Sequence, residues 1–381
     1  MEDKKLKINQ QQMDVTLFCL DADNGVNEYY LTIGPGNACL TFEEQLTYML
    51  NCYEEIVDSR YYGHAPGMAQ VRPVFKRYFL SDAANQQATL LAATGEDDCA
   101  VSVVQQPPLG GGKVAMAVWL MSGNDGRKCA DGSFVVAHHG IEELWSVQHT
   151  AEGPDAFTQT QRLLDGYARQ LEEHHCTLAD NAMRTWLYVN DIDNHYGKVV
   201  RARNTVFDAE HLTNDTHYIA STGIQGRVAD ARTRCIMNAL AIKGLRPEQV
   251  RYLYASHLMN RTSDYGVRFE RGVCIDFGGH RRVYVSGTAS IDHQGNIVHH
   301  GDIRRQVIRM WENVDALLAE AECDRDDIAE ILVYLRDPAD YAVVEPMFAN
   351  ACPSTPTLFL HAPVCRPGWL VEMECVAVKT W

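Results

Sequence analysis

The alternation of apolar and polar positions along the chain resolves into helices and strands that come round twice. Val307, Ile308, Trp311, Val314, Leu317, Leu318 and Ala321 recur at helical spacing, which predicts a helix with one apolar face. "AEILVYL" then reads as a short buried strand, and "RDPADY" carries turn chemistry with proline. The same order occurs earlier, in "QRLLDGYARQLEEHHCTLADNAMRTWLYVNDIDNHY". There Leu164, Tyr167, Leu171, Cys176, Ala182 and Asp193 each precede Trp311, Val314, Leu318, Cys323, Ala329 and Asp340 by 147 residues. "VVRARNTVF" and "YAVVEPMF" follow as second helices. One offset held through helix, loop and strand predicts a duplicated α+β unit.

The second copy is expected to begin near Glu248, with strand-like "YLYASHL", "VRFERGVCIDF" and "RRVYVSGTASI", and to end in "LVEMECVAV". The first ends in "CIMNALAIK". Ahead of it, "MDVTLFCL", "EYYLTIG", "CAVSVVQQ" and "KVAMAVWLMSG" read as strands, with "LTFEEQLTYMLNCYEEIV" a helix among them. The division expected is therefore 1–245, an N-terminal unit with extra strands and a helix, and 246–381, a C-terminal domain. "PLGGG" precedes no helix at phosphate-binding spacing and carries no nucleotide role.

The last strand raises a chemical question. Glu372 and Glu374 stand at i and i+2, on one face of a strand, where two carboxylates repel unless one keeps its proton or both meet water or a cation. With Ala241 set against Ala377, Ile236 and Asn238 stand where the first copy would carry this pair. Only the second copy has the carboxylates, so the fold does without them and a function is favoured.

Charge narrows the partners. A net charge of −16 over 381 residues argues against nucleic acid, whose binding rests on phosphate neutralisation, but allows a small anion in a locally basic pocket. The polar start "MEDKKLKINQQQMD" resembles no signal peptide and no 18-residue apolar run occurs, so a cytoplasmic protein without membrane contact is expected. The 12 cysteines form no CxxC and are expected reduced. His138-His139, His174-His175 and His299-His300 are adjacent pairs, which point apart and do not chelate, so no metal is expected.

"VYVSGTASIDHQGNIVHHGDIRRQ", "ENVDALLAEA", "ILVYLRD" and "LVEMECVAV" together resemble the Rid (reactive intermediate deaminase) family over roughly the last 100 residues. The resemblance implies two tandem Rid-like (chorismate-mutase-like) α+β units, each a mixed sheet with two helices packed on one face, and a homotrimer with clefts between subunits. Rid deamination requires an arginine fifteen residues before the first glutamate of the terminal strand, and Thr357 stands there.

A second resemblance covers most of the chain from about residue 75. "FKRYFLSDAANQ", "RTWLYVNDIDNHYGKVVRARNTVF", "HYIASTGIQGR", "SDYGVRFERG", "VSGTASI" and "VCRPGWLVEME" are similar, in order and spacing, to the chorismatase family. It implies cleavage of the enolpyruvyl ether of chorismate without a cofactor. The products implied are pyruvate and either a hydroxybenzoate or a dihydroxycyclohexadiene carboxylate. It makes Glu372 the general acid, with Glu374 beside it. Cys365 takes the place of a cysteine that favours 3-hydroxybenzoate. Arg203 and Arg271 become carboxylate clamps, with Arg201 and Arg268 their exposed neighbours, and Tyr188, Tyr218 and Ser221 become ligands for ring hydroxyls. Arg366 lies beside the acid, yet in a turn-like "RPG". The alternatives are a Rid-type enamine or imine deaminase and a Rid-like protein that binds a metabolite without turnover.

Overall fold

The computed structural model describes residues 5–9, 12–22, 25–57 and 71–381. They build three six-stranded sheets. The first holds β1 (Lys5–Asn9), β2 (Met13–Leu20), β3 (Glu28–Pro35), β4 (Arg72–Leu80), β5 (Ala100–Gln105) and β6 (Val114–Met121), with α1 (Phe42–Val57) before β4 and α2 (Ala83–Thr94) before β5. The second holds β7 (Asp125–Lys128), β8 (Phe134–His138), β9 (Ile141–His149), β10 (Ala182–Val189), β11 (Ala220–Gln225) and β12 (Cys235–Lys243). Its helices are α3 (Ala156–Glu173), the one-turn α4 (Leu178–Asn181) and α5 (Ile192–Ala209). The third holds β13 (Val250–Leu253), β14 (Gly272–Asp276), β15 (His280–Ala289), β16 (Ile328–Leu335), β17 (Thr357–His361) and β18 (Val371–Thr380), with α6 (Ile303–Glu320) and α7 (Tyr341–Ala351).

All three sheets have one topology. Three antiparallel strands are followed in space by the sixth, fourth and fifth, and the fourth and fifth run parallel across a helical crossover. The α+β class and the mixed sheets agree with the sequence reading. The strands and helix read as additions to the N-terminal unit form a sheet of their own, so the unit occurs three times. The homotrimer implied by the resemblance would place clefts between copies; here sheets of one chain already face each other across such clefts.

The repeat offset needs one correction. Helices α3 and α6 do stand 147 residues apart, each capped by an aspartate that accepts a backbone N–H, Asp155 from Thr158 and Asp302 from Arg305. In the strands, however, Ala182 pairs with Ala241 and Ile328 with Ala377, so Ala182 corresponds to Ile328 and not to Ala329. The four-residue turn Leu178–Asn181 in one copy is a three-residue turn, Arg325–Asp327, in the other, which absorbs the difference. Ile308, read as part of the apolar face of α6, is 53% exposed; Met310 is buried there as well as Val307, Trp311 and Val314.

One apolar core takes residues from all three sheets, among them Trp119, Trp145, Trp186 and Tyr284. It contains a charged knot at equivalent places in the sheets. Glu28 opposes Met121, Glu143 opposes Ile242 and Arg282 opposes Val378. Arg282 donates to Glu28 (2.6 Å) and Glu143 (2.7 Å), and His280 and His138 complete the carboxylates at 2.7 and 2.8 Å. Such a set is stable only when every charge has a partner, so the knot fixes how the sheets meet. Among the described residues no helix is long and apolar enough to cross a membrane.

Candidate active site

Between the second and third sheets lies a cleft. Tyr196 and Arg203 reach it from α5, and Ser221 and Gly223 from the edge strand β11. The third sheet supplies Arg271, Gly287 and Ala289 from the β14–β15 region, the loop residues Cys365, Arg366 and Trp369, and Glu372 from β18.

Glu372 is 5% exposed, and among the described residues nothing donates a hydrogen bond to its carboxyl. Space for it depends on Gly287, where a Cβ would fall 2.5 Å from Glu372 Oε1. Burial, then the charge of Glu374, push the Glu372 carboxyl up to about 8, against the opposing pull of Arg184 and Arg271. Glu374 has the opposite surroundings. It accepts from Arg184 (2.9 Å), Trp186 (2.8 Å) and Arg77 (3.2 Å), and Arg77 also pairs with the buried Glu330. The two carboxylates that share a strand face are thus an acid open to the cleft and an anion clamped behind it. Glu374 is not a lining residue.

Three guanidinium groups line the same cleft, and among the described residues none forms an ion pair within 4 Å. Arg203 is 2% exposed, and among the described residues its Nε and Nη2 have no hydrogen-bond partner. Arg271 donates from Nη2 to the Asn260 carbonyl (3.1 Å), and its Nε has no partner among the described residues. Arg366 donates to the Gly295 carbonyl (3.0 Å) and lies against the rings of Tyr265 and Trp369, 4.5 and 4.8 Å from their centroids. A buried cation without a counter-charge is costly, and an anionic ligand removes that cost. Burial, then the Glu372 charge, push the Cys365 thiol up to about 12, so it is neutral.

The expected residues are only partly brought together. Glu372, Cys365, Arg203, Arg271 and Ser221 meet at the cleft; Ser221 Oγ accepts from Thr185 and its N–H donates to Ser286 Oγ, both at 2.9 Å. Tyr188 does not reach it: β10 turns its ring into the core, fully buried. Tyr218 does not either, being tied outside the cleft through its N–H to Glu270 (2.8 Å) and its Oη to Asn214 (3.1 Å). Arg201 is exposed and Arg268 pairs with Asp208, both outside the lining. Tyr196, Tyr265 and Trp369 were not singled out. The signal for Tyr196 was its place seven residues before Arg203, on the same face of a helix.

Register also corrects the argument from Thr357. Thr357 pairs with Ile331 as Ser221 pairs with Thr185, so both hold one place in their sheets. Ser221 faces the Glu372 cleft, whereas Thr357 lines a different one, between the third and first sheets. The residue to inspect was Ser221, and it is no arginine either. Equivalent pairs Phe79–Ala115, Tyr188–Ile236 and Tyr334–Glu372 show that the first and second sheets have no carboxylate at the position of Glu372.

Comparison with known proteins shows a family and a shared fold. The sequence profile of the family described as Endoribonuclease L-PSP matches residues 268–379. A RutC family protein of Pyrococcus abyssi is 30% identical over 99 residues, 26% of this chain and 78% of that one. The chain belongs to the RutC family. Its fold as a whole is shared with the crystal structure of a chorismatase, which aligns with 80% of this chain and 93% of its own at a TM-score of 0.63 and 18% identity. A putative endoribonuclease L-PSP from Entamoeba histolytica aligns over 34% of this chain and 99% of its own, at 23% identity and a TM-score of 0.30.

Proposed function

We propose that the protein cleaves the enolpyruvyl ether of chorismate and releases pyruvate. The observation that carries this reading is a carboxyl, Glu372, raised to about 8 in a cleft whose other charged groups are three arginines without ion-pair partners among the described residues. A dicarboxylate substrate supplies the missing counter-charges, and Arg203 and Arg271 are assigned as its clamps. Chorismatase is also the activity in the name of the solved structure that shares the whole fold.

Glu372 transfers its proton to the terminal methylene carbon of the enol ether, and the side chain becomes an oxocarbenium ion. The Glu372 carboxylate left behind is stabilised by Arg271 and Arg184 and acts next as base. If water adds to the oxocarbenium carbon, the hemiketal collapses to pyruvate and a dihydroxycyclohexadiene carboxylate. If the neighbouring ring hydroxyl instead displaces the ether oxygen, with Glu372 taking its proton, the ring C–O bond breaks and pyruvate leaves with the ether oxygen. The arene oxide left behind opens at its second C–O bond and loses a ring proton, so no water is consumed and the products are pyruvate and 3-hydroxybenzoate. The neutral thiol of Cys365 is a poor holder of water, which favours the second course. Deamination of a Rid-type imine lacks its carboxylate anchor at Ser221.

The test is incubation of purified protein with chorismate, with pyruvate coupled to lactate dehydrogenase and the ring product separated by chromatography. Pyruvate release lost in Glu372→Gln is the expected result. Pyruvate at the spontaneous rate only would end this reading.

A further inference from the structure

Away from the cleft, a second group of chemistry-bearing side chains converges where the β7–β8 hairpin meets the end of α3. Cys129, Asp131 and His174 each offer one ligand atom, and the three atoms lie within 4.8 Å of one another. Cys129 and Asp131 stand in the hairpin turn, closed by Cys129 N–H to Ser133 O (2.8 Å) and Gly132 N–H to Cys129 O (3.0 Å), with Gly132 at φ +86°. The Ser133 hydroxyl and N–H both donate to Asp131 Oδ1, at 2.7 and 3.0 Å, which aims Oδ2 at His174 Nε2, 2.9 Å away. His174 is the first residue after α3, and Gln170, one turn earlier, donates to the Asp131 carbonyl (3.4 Å). Lys243 donates to the His174 carbonyl (3.1 Å) and not to Asp131, which has no lysine or arginine partner among the described residues.

We propose that Cys129, Asp131 and His174 bind a divalent transition-metal ion of the zinc class, with the fourth coordination position open to solvent. Thiolate, imidazole and carboxylate together suit a borderline-soft ion in tetrahedral geometry and exclude magnesium and calcium, which take oxygen ligands. The donors come from two elements, a turn and a helix end, so the ion ties them together. The outer groups are already in place: Ser133 orients the carboxylate and Gln170 the turn that carries it. Binding releases the Cys129 thiol proton and leaves the imidazole proton of His174 on Nδ1, which frees Nε2 for the metal. Helix α3 packs on α5, which carries Tyr196 and Arg203, so the ion stiffens the support of one cleft wall without touching the cleft.

Cobalt(II) is the probe, because a bound thiolate gives it a charge-transfer band and tetrahedral coordination gives it strong visible bands. Titration of the reduced full chain is expected to give both, at one ion per chain, with displacement by zinc. Cys129→Ser is expected to lose the charge-transfer band, and His174→Ala to bind at least tenfold more weakly. Zinc is expected to raise the Tm of the parent and leave that of His174→Ala unchanged. Absence of the thiolate band in the parent overturns the proposal. So does a band of full strength in Cys129→Ser, which would trace binding to another thiol, such as the exposed Cys39. Circular dichroism of both variants separates lost ligation from lost folding, a check Cys129→Ser needs because Cys129 packs against the core of the second sheet.

Discussion

Glu372 and Glu374 stand two residues apart on β18, yet Glu374 receives three hydrogen bonds, from Arg184, Trp186 and Arg77, while Glu372 receives none among the described residues. The difference separates the pair into a fixed anion and a proton donor. With the Glu372 carboxyl at about 8, turnover of chorismate is expected to be level below pH 7 and to fall about tenfold per unit above pH 8. The coupled pyruvate assay from pH 6 to 9.5 reads this directly. A limb near pH 5 would remove Glu372 from the role of acid.

Keeping that proton costs stability. The ordinary value for the carboxyl is 4.5 and the folded one about 8, so the folded chain binds the proton more tightly. The associated stability is full below about pH 4.5 and is lost as pH rises through 8. Glu372→Gln needs no proton. It is expected to match the parent near pH 5 and to exceed it by about 1–3 kcal/mol at pH 8. Urea unfolding at the two pH values measures the gap, and a gap that does not widen with pH contradicts the assignment.

Glu374→Gln removes the anion but leaves an amide oxygen for Trp186 and Arg77, which share Oε1. Without that charge Glu372 gives up its proton more readily, so the alkaline limb is expected to move down by about 1 pH unit. A ¹³C-glutamate titration of the ligand-free protein reports the same shift independently of turnover. No movement would mean that burial alone holds the proton.

Arg203→Ala is expected to raise KM about 10- to 100-fold with a smaller change in kcat, the loss of one charge-assisted contact to a carboxylate. Arg271→Ala is expected to lower kcat as well, because Arg271 also faces Glu372. Steady-state kinetics distinguish the two. Equal KM values for Arg203→Ala and the parent would show that Arg203 clamps nothing.

Gly287→Ala places a methyl group 2.5 Å from Glu372 Oε1 and 3.1 Å from Thr222 Cγ2. The flexible carboxyl gives way more easily than the strand. The expected result is a fall in kcat of at least about tenfold with a Tm close to that of the parent. A loss of Tm with kcat retained would mean that the strand moved and the acid did not.

The sequence made the repeat legible wherever a helix carried a full apolar stripe, as α3 and α6 do, since burial of one face imposes a period that survives divergence. The first sheet was read as separate strands because its share of the pattern is nearly continuous apolar residues, as in "VAMAVWLM", buried on both faces with no alternation to align. At the site, Glu372 was legible because two carboxylates in an apolar strand break the local rule. Tyr188 was not legible because every residue of its strand, β10, is buried, so the sequence gives no alternation that tells the cleft face from the core face. The clamp on Glu374 joins Arg77 to a residue 297 positions away, a relation no local pattern encodes.

The threefold repetition within one chain has a consequence for how such a protein can change. In a ring of identical subunits every substitution is made in all three clefts at once, so each must keep whatever any of them requires. Here the interfaces between the three sheets are written separately. Glu372 has Ile236 and Ala115 at its counterpart positions, and Ser221 has Thr357. One cleft can therefore acquire a costly buried acid and uncompensated arginines while the equivalent positions of the other sheets are relieved of them. Repetition within one chain allows a division of labour, and the energetic burden of a buried acid and unpaired arginines rests on one cleft.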